Sequence, residues 1–361
     1  MPAPLSARSP VVCPQAVSPS SGTANTITIR FNQPSIGYRL SGYGVVCDAL
    51  RLNRADFRED VPMIRLSENF RALFYAPFYA AHATGAFTEA GVEVELVASP
   101  SPPMTVKALR AGEIDVMWGG PLRVMMTRDV EPESDLVCFC DVVARDPFFV
   151  LGREPKPNFR FADLKNLKLA TVSEVPTPWI CLADDIRRAG IDPDSLDRIP
   201  DRSMEENEAA LRAGTVDAIH VFQPYAERLI ASGAGHVWYA AATRGLTAYT
   251  TLVTRRGVLE KRQDDLLKMT RAVYRTLGWF AATPAIEIAN KLQSYFPDVP
   301  TEIFAGAIDR YRKLNLWGSD PVIRREGYDR LHAAMRAFGA LSKDIAFEAC
   351  VDTSLAKRAI A

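Results

Sequence analysis

The chain is poor in the features that announce most protein classes. Among its 361 residues are four histidines and six cysteines. His82, His220, His236 and His332 stand at no metal-ligand spacing. Cys13, Cys47, Cys138, Cys140, Cys181 and Cys350 make neither a CxxC pair nor a disulfide framework. Charge of neither sign is in excess, since Lys+Arg and Asp+Glu both number 43. That balance removes the basic surplus that a nucleic-acid or anionic-membrane surface requires. No apolar run approaches the roughly 20 residues of a membrane span. There is no phosphate-binding P-loop, no GxGxxG opening a helix and no GxSxG. What remains is a chain of one large or two ordinary domains, with 48% hydrophobic residues to build a core.

Two octets say nearly the same thing. Ala108-Leu109-Arg110-Ala111-Gly112-Glu113-Ile114-Asp115 is echoed by Ala210-Leu211-Arg212-Ala213-Gly214-Thr215-Val216-Asp217. Each reads as the end of an amphipathic helix closed by a left-handed glycine. Each runs into a short apolar strand, at residues 114–118 and 216–221. Each strand is followed by a break and a proline, Gly119-Gly120-Pro121 and Phe222-Gln223-Pro224. A helix–strand–loop–helix unit used twice predicts two similar α/β lobes.

The order along the chain fits that prediction. Residues 1–24 are rich in proline and serine and read as disordered, with no apolar run that could serve as a secretory h-region. Residues 26–31 alternate like a strand. Recognisable organisation begins at Met63, so residues 1–62 are expected to be a disordered or mis-assigned N-terminal extension; the intact mass of the native protein tests this. Strands are expected at 64–67, 92–97, 114–118 and 136–143, with helices at 77–84, 104–111 and 121–127 between them. Residues 99–103 read as a linker, and 146–151 as a further extended piece. The pattern restarts with strands at 169–172, 216–221, 237–240 and 249–253, a short segment at 196–199, and helices at 178–189 and 224–232. From Arg256 the chain reads as helical, with apolar stripes through Leu277 and Phe280, through Phe304 and Ile308, and through Leu331, Met335 and Phe338. His220 is expected to be a satisfied core histidine. Cys138 and Cys140 are expected to share one apolar face of a strand as a buried pair, with no cation near enough in sequence to activate a thiolate.

Four loops end in proline-started helices, at Pro77, Pro121, Pro178 and Pro224. In open parallel sheets, ligands lie beyond the carboxyl ends of strands. Helix N-termini there offer free N–H groups and partial positive charge. Each proline alone reads as a helix start; four facing one another would make a cleft for a polar or anionic small molecule. The candidate ligand-binding residues are Tyr75, Gly119, Gly120, Phe148, Ser173, Thr177, Gln223 and Tyr225. The glycines would admit backbone N–H groups to the ligand. Ser173, Thr177 and Gln223 would hydrogen-bond it, and the aromatic rings would pack its flat faces. Phe74, Trp118 and Trp179 lie in the same loops. No catalytic residue, metal or cofactor is expected: Lys107, Lys165 and Lys168 fall at no strand's carboxyl end.

Several stretches together resemble one family. They are Tyr75-Ala76-Pro77-Phe78-Tyr79-Ala80-Ala81, then Thr84-Gly85-Ala86-Phe87-Thr88-Glu89-Ala90-Gly91-Val92, Ala111-Gly112-Glu113-Ile114-Asp115-Val116, Asp146-Pro147-Phe148, and Phe347-Glu348-Ala349-Cys350-Val351-Asp352-Thr353-Ser354. They resemble the solute-binding proteins of ABC importers for alkanesulfonates, nitrate-like anions and thiamine pyrimidine precursors, a family that also holds the fungal pyrimidine-precursor synthases. The resemblance covers residues 63–361. It implies a two-lobed type II periplasmic-binding-protein fold of α/β class, with hinge-crossing strands at 136–143 and 249–253 and C-terminal helices returning to lobe 1. Lobe 1 would comprise residues 63–143 with 254–361, and lobe 2 residues 144–253.

The resemblance also implies where a synthase would differ. Its cofactor lysine would fall at Gly119 and its essential histidine at Arg123. Its cysteine-rich stretch would fall at Leu246-Thr247-Ala248-Tyr249-Thr250, and a further histidine at Tyr75. These departures speak against synthase chemistry. The expected function is capture of a small polar, anionic or heteroaromatic ligand between the lobes, by a monomer or weak dimer that binds no nucleic acid. An ABC permease is the partner that the family implies. The rivals are an enzyme on the same fold, either a pyrimidine-precursor synthase or a decarboxylase-like relative, and a cytoplasmic ligand sensor. The family implies a periplasmic location, to which the chain adds no export signal.

Overall fold

In this computed structural model, which describes residues 63–173 and 175–361, the first half runs β1 (Ile64–Ser67), α1 (Ala76–Ala83), α2 (Ala86–Glu89), β2 (Val94–Val97), α3 (Pro102–Ala111), β3 (Val116–Gly119), α4 (Pro121–Val130) and β4 (Leu136–Val143). The second half runs β5 (Phe149–Gly152), β6 (Leu169–Val172), α5 (Thr177–Arg188), β7 (Arg198–Arg202), α6 (Met204–Ala213), β8 (Ala218–Val221), α7 (Tyr225–Ala231), β9 (His236–Ala240) and β10 (Thr250–Arg255). Helices α8 (Arg256–Lys261), α9 (Gln263–Ala282), α10 (Ala285–Leu292), α11 (Thr301–Lys313), α12 (Arg325–Phe338), α13 (Phe347–Cys350) and α14 (Ser354–Ile360) complete the chain. The expected extension at 1–62 and strand at 26–31 lie outside the described residues.

Two five-stranded sheets are present among the described residues, ordered β2-β1-β3-β10-β4 and β7-β6-β8-β5-β9. They are the same sheet built twice. In each, three parallel strands are extended by a fourth that runs antiparallel to them and a fifth that pairs antiparallel with the fourth. In each, the fourth strand is supplied by chain arriving from the other sheet. The α/β, two-lobed architecture expected from the repeated octet is therefore present.

The octets perform matching tasks. Gly112 and Gly214 end α3 and α6 with φ of 78° and 70°, a region that residues with a Cβ rarely adopt. The guanidinium of Arg255 lies over the first glycine and that of Arg153 over the second, within 3.2 and 2.6 Å of where a Cβ would stand. A cation suits the negative end of a helix. The closing aspartates clip the neighbouring strands: Asp115 Oδ2 accepts from Arg65 N at 2.9 Å and Asp217 Oδ2 from Lys168 N at 2.8 Å.

Four expectations are corrected. Pro102 and Pro103, read as linker, form the first turn of α3, because the first helical residues need no N–H partner. For the same reason a proline can also stand just before a helix: Pro224 caps α7 and Tyr225 begins it. Cys138 and Cys140 are both buried but do not share a face. The pairing of β4 with β10 skips Phe139, so Cys140 opposes Leu252 and Cys138 opposes Val253. A bulge of this kind reverses the alternation on either side of it. Phe338 on α12 is 39% exposed under the guanidinium of Arg187, while Leu331 and Met335 of its stripe are buried.

β4 and β10 lie wholly in the first sheet, and the passages to and from the second are residues 144–148 and 241–249. These passages hold each other: Ala241 N donates to Phe148 O at 2.9 Å, Thr247 N to Ala144 O at 2.8 Å and Tyr249 N to Val143 O at 2.9 Å. α9 and α14 return to the first sheet's side, packing with α1, α2 and β4. α11 and α12 also touch α7 and α5, and Arg310 Nε meets Glu227 Oε2 at 2.7 Å.

One buried ionic group ties the passages to the second sheet's helix. Arg244 Nη1 reaches Asp146 Oδ2 at 2.6 Å, and its Nε reaches Asp185 Oδ2 on α5 at 2.8 Å. Tyr239 Oη donates to the same Asp185 oxygen at 2.8 Å, and Phe148 N donates to Asp146 Oδ1 at 3.0 Å. Burial pushes the Asp146 carboxyl up, and the charge of Arg244 pulls it part-way back. Arg244→Met leaves two carboxylates without their cation, so a loss of about 3–5 kcal/mol is expected in urea denaturation. Adding Asp146→Asn and Asp185→Asn to that variant is expected to restore much of the loss.

Candidate functional site

A cavity lies where the first sheet, the second sheet's helix α5 and a crossing passage meet. The loop after β1 contributes Asn69, Phe70, Phe74 and Tyr75. The start of α4 contributes Gly120, Leu122 and Arg123, and the approach to α5 contributes Val175, Pro176 and Thr177. Tyr249 and Thr250 close it from the crossing side. Its volume is about 30 Å³, room for roughly two waters.

Three of the four proline-started ends face this cavity. Pro121 opens α4, and Pro77 and Pro178 stand second in α1 and α5. Gly120 caps α4 with no side-chain hydrogen bond, and so does Pro176 for α5. A Cβ on Gly120 would lie 2.9 Å from Tyr249 O, so glycine is what allows the crossing backbone to sit on the end of α4. Thr177 is the first residue of α5, half-buried, and its hydroxyl makes no hydrogen bond among the described residues.

Arg123 is the cationic group of this cavity. Among the described residues its guanidinium makes no hydrogen bond and no ion pair. Burial pulls its pKa below the ordinary arginine value, and the charge relation with Tyr75 works the other way. The Tyr75 hydroxyl is pushed up by burial, with Asn69, Thr250 and Arg123 offsetting part of that cost. Asn69 Oδ1 is buried with no partner. Among the described residues the site is therefore polar at a few points and positively charged.

The other expected site residues are placed elsewhere. Gly119 ends β3 inside the sheet, where its carbonyl accepts from Thr251 Oγ1 at 3.4 Å. Phe148 is buried, 4.9 Å from the ring of His220 and 5.2 Å from that of Phe222. Ser173 is exposed and donates to Arg202 O at 3.3 Å. Gln223 is buried, its Nε2 on Glu227 Oε2 at 3.2 Å and its Oε1 on Glu227 N at 2.7 Å. Tyr225 lines a second chamber with Phe222 and Pro224. Trp118 and Trp179 are core residues, the first stacked on Phe78 at 4.7 Å, the second beneath the guanidinium of Arg198.

Arg123, Asn69 and Thr250 were not among the expected binding residues. The signal for Arg123 was present. A cation in the first turn of a helix sits against the positive end of the dipole, which is a reason to look for an anion beside it.

The profile of the NMT1-like family matches residues 70–293. The chain belongs to the NMT1-like family. Over 302 residues it is 23% identical to YtlA of Bacillus subtilis (strain 168), provisionally named a binding protein, covering 83% of this chain and 90% of YtlA. Its fold is shared with the periplasmic aliphatic sulphonate binding protein SsuA of Escherichia coli, at a TM-score of 0.66 and 16% identity over 78% of this chain and 94% of that one. It is shared too with the periplasmic nitrate-binding protein NrtA of Synechocystis PCC 6803, at a TM-score of 0.60 and 15% identity over 83% and 88% of the two chains.

Among the described residues, this NMT1-like chain buries His220 in β8 with neither ring nitrogen partnered. It was expected to be a core histidine and is one, but it is not a satisfied one. Burial, helped by the charge of Arg244, pulls its pKa down to about 3 from an ordinary 6.5. The unfolded chain therefore takes up the proton first, so this residue's contribution is intact above pH 6.5 and is lost as pH falls toward 3. His220→Phe is expected to flatten the acid limb of the urea midpoint plotted against pH over that interval.

Proposed function

We propose that this chain is a solute-binding protein that holds a small anionic or heteroaromatic solute between its two lobes and hands it to an ABC importer. The observation that carries this reading is Arg123, a buried-side cation without a counter-charge among the described residues, at a cavity walled by both lobes. A guanidinium with no partner among the described residues is complementary to a carboxylate, sulfonate or similar anion. The printed names of SsuA and NrtA, sulphonate- and nitrate-binding, point to the same class of ligand. A solute larger than the present cavity enters by parting the lobes at residues 144–148 and 241–249.

The same residues favour binding over catalysis. The cavity lining, among the described residues, offers no carboxylate, imidazole, thiol or amine. Its tyrosines are pushed up by burial and are poor bases at neutral pH. Gly119 and Arg123 stand where the resemblance puts a synthase's lysine and histidine. The buried thiols of Cys138, Cys140 and Cys181 are likewise raised, which disfavours the nucleophilic thiolate.

The test is a thermal-shift screen of sulfonates, pyrimidines and aromatic acids, with calorimetry on the best ligand. Arg123→Gln is expected to weaken binding of an anionic ligand by about 1.5–3 kcal/mol, and Thr177→Ala by roughly 1–2 kcal/mol. Unchanged affinity in both variants removes this cavity from the function. Turnover of the ligand would instead favour the enzyme reading.

A further inference from the structure

The loop after β1 serves two hollows. It gives Phe70, Phe74 and Tyr75 to the cavity beside Arg123, and Arg71, Ala72 and Leu73 to a second chamber. That chamber has a volume of about 350 Å³, inside the range of roughly 300–1,000 Å³ that small-molecule sites occupy. Three distant stretches build it: the loop after β1, the start of α7, and residues 295–299 between α10 and α11. Phe222 stands between the two hollows, 6.3 Å from the ring of Phe70 and 5.3 Å from that of Phe74.

Its chemistry differs from that of the first cavity. Arg71 enters from the loop after β1, held by Glu68 Oε1 at 3.1 Å and set 5.8 Å from the ring of Tyr79. Arg228 enters from α7, set 5.5 Å from the ring of Tyr225, with Glu208 Oε2 3.8 Å from its Nη1. Between them stand the aromatic faces of Phe222, Tyr225, Tyr295 and Phe296. Asp298 is the acidic residue of the lining, and it is the Asp298 backbone oxygen that Arg228 reaches, at 3.4 Å. Two guanidiniums therefore line the chamber beside one lining carboxylate, with Glu68 and Glu208 pairing them from outside the lining.

We propose that this chamber is a second binding site, for a small aromatic monocarboxylate. The ring is held among the aromatic faces and the carboxylate by Arg71 and Arg228. A neutral ring makes no use of the two guanidiniums, and a bare inorganic anion leaves the apolar faces wet. Because Arg71 and Arg228 belong to opposite sheets' layers, an occupant bridges the seam between the lobes and favours their closed arrangement. The site does not depend on what the first cavity binds.

Benzoate is the probe, titrated calorimetrically into the full chain, with cyclohexanecarboxylate and benzyl alcohol as the non-aromatic and uncharged comparators. Saturable benzoate binding is expected, tighter than for either comparator. Arg228→Gln and Arg71→Gln are each expected to weaken it about tenfold. Arg228→Lys keeps the charge and is expected to recover most of the loss, and thermal melts of all the variants show that they are folded. The proposal is overturned if benzoate gives no saturable heat up to about 10 mM, an affinity too weak for a formed site. It is equally overturned if binding is lost in Arg123→Gln and kept in Arg228→Gln and Arg71→Gln. Failure of the solute-binding reading would show instead as ligands indifferent to Arg123, and would not touch this result.

Discussion

Arg244 holds the molecule's geometry together at the point where the chain passes between its sheets. It joins Asp146 in one passage to Asp185 on α5 from its own place in the other passage. α5 carries Thr177 at its start and Asp185 near its end, and Tyr249 lies five residues beyond Arg244. The ion triad therefore sets where the second sheet's contribution to the cavity stands relative to the crossing backbone. Burying such a group adds little net stability. What it does is make one arrangement of the passages much better than any shifted one, because a shift would leave a charge buried and alone.

The duplicated sheet explains both the regularity of the structure and the place where it breaks. Matching glycines, aspartates and arginines finish matching helices and strands. The strand-to-helix turn is where the halves part. After β3 the chain reads Gly119-Gly120-Pro121, and Gly120 lets the crossing backbone approach to contact. After β8 it reads Phe222-Gln223-Pro224, and Phe222 fills the space that would correspond. One half thereby offers a tight polar cavity with a cation unpartnered among the described residues, the other an aromatic wall and a wider chamber.

Burial sets the electrostatic character of the region. Tyr75 and Tyr249 stay protonated, His220 stays neutral, and the buried thiols stay unionised. Groups held in their neutral forms can donate hydrogen bonds and exclude water, and they exchange protons poorly. This suits recognition by shape and fixed charge.

Much of this was legible in the sequence because it is local. Strands at 64–67, 136–143 and 169–172 are bounded by apolar runs and turn residues that act over a few positions, and the two octets announce a duplicated α/β unit by themselves. Three of the eight expected binding residues, Tyr75, Gly120 and Thr177, line the cavity, because strand ends and helix starts can be placed from local signals. The rest depended on chain far away. The bulge at Phe139 that separates Cys138 from Cys140 comes from the register with β10. Gln223 was claimed by Glu227 one turn later, within a cluster completed by Arg310 of α11. Arg123 became a candidate ligand for an anion only because, among the described residues, no carboxylate from another element comes to meet it. The sequence by itself determined which segments become strands and helices and that the unit occurs twice; tertiary structure decided which polar groups are left for a ligand, because whether a charge is partnered is a property of every element around it.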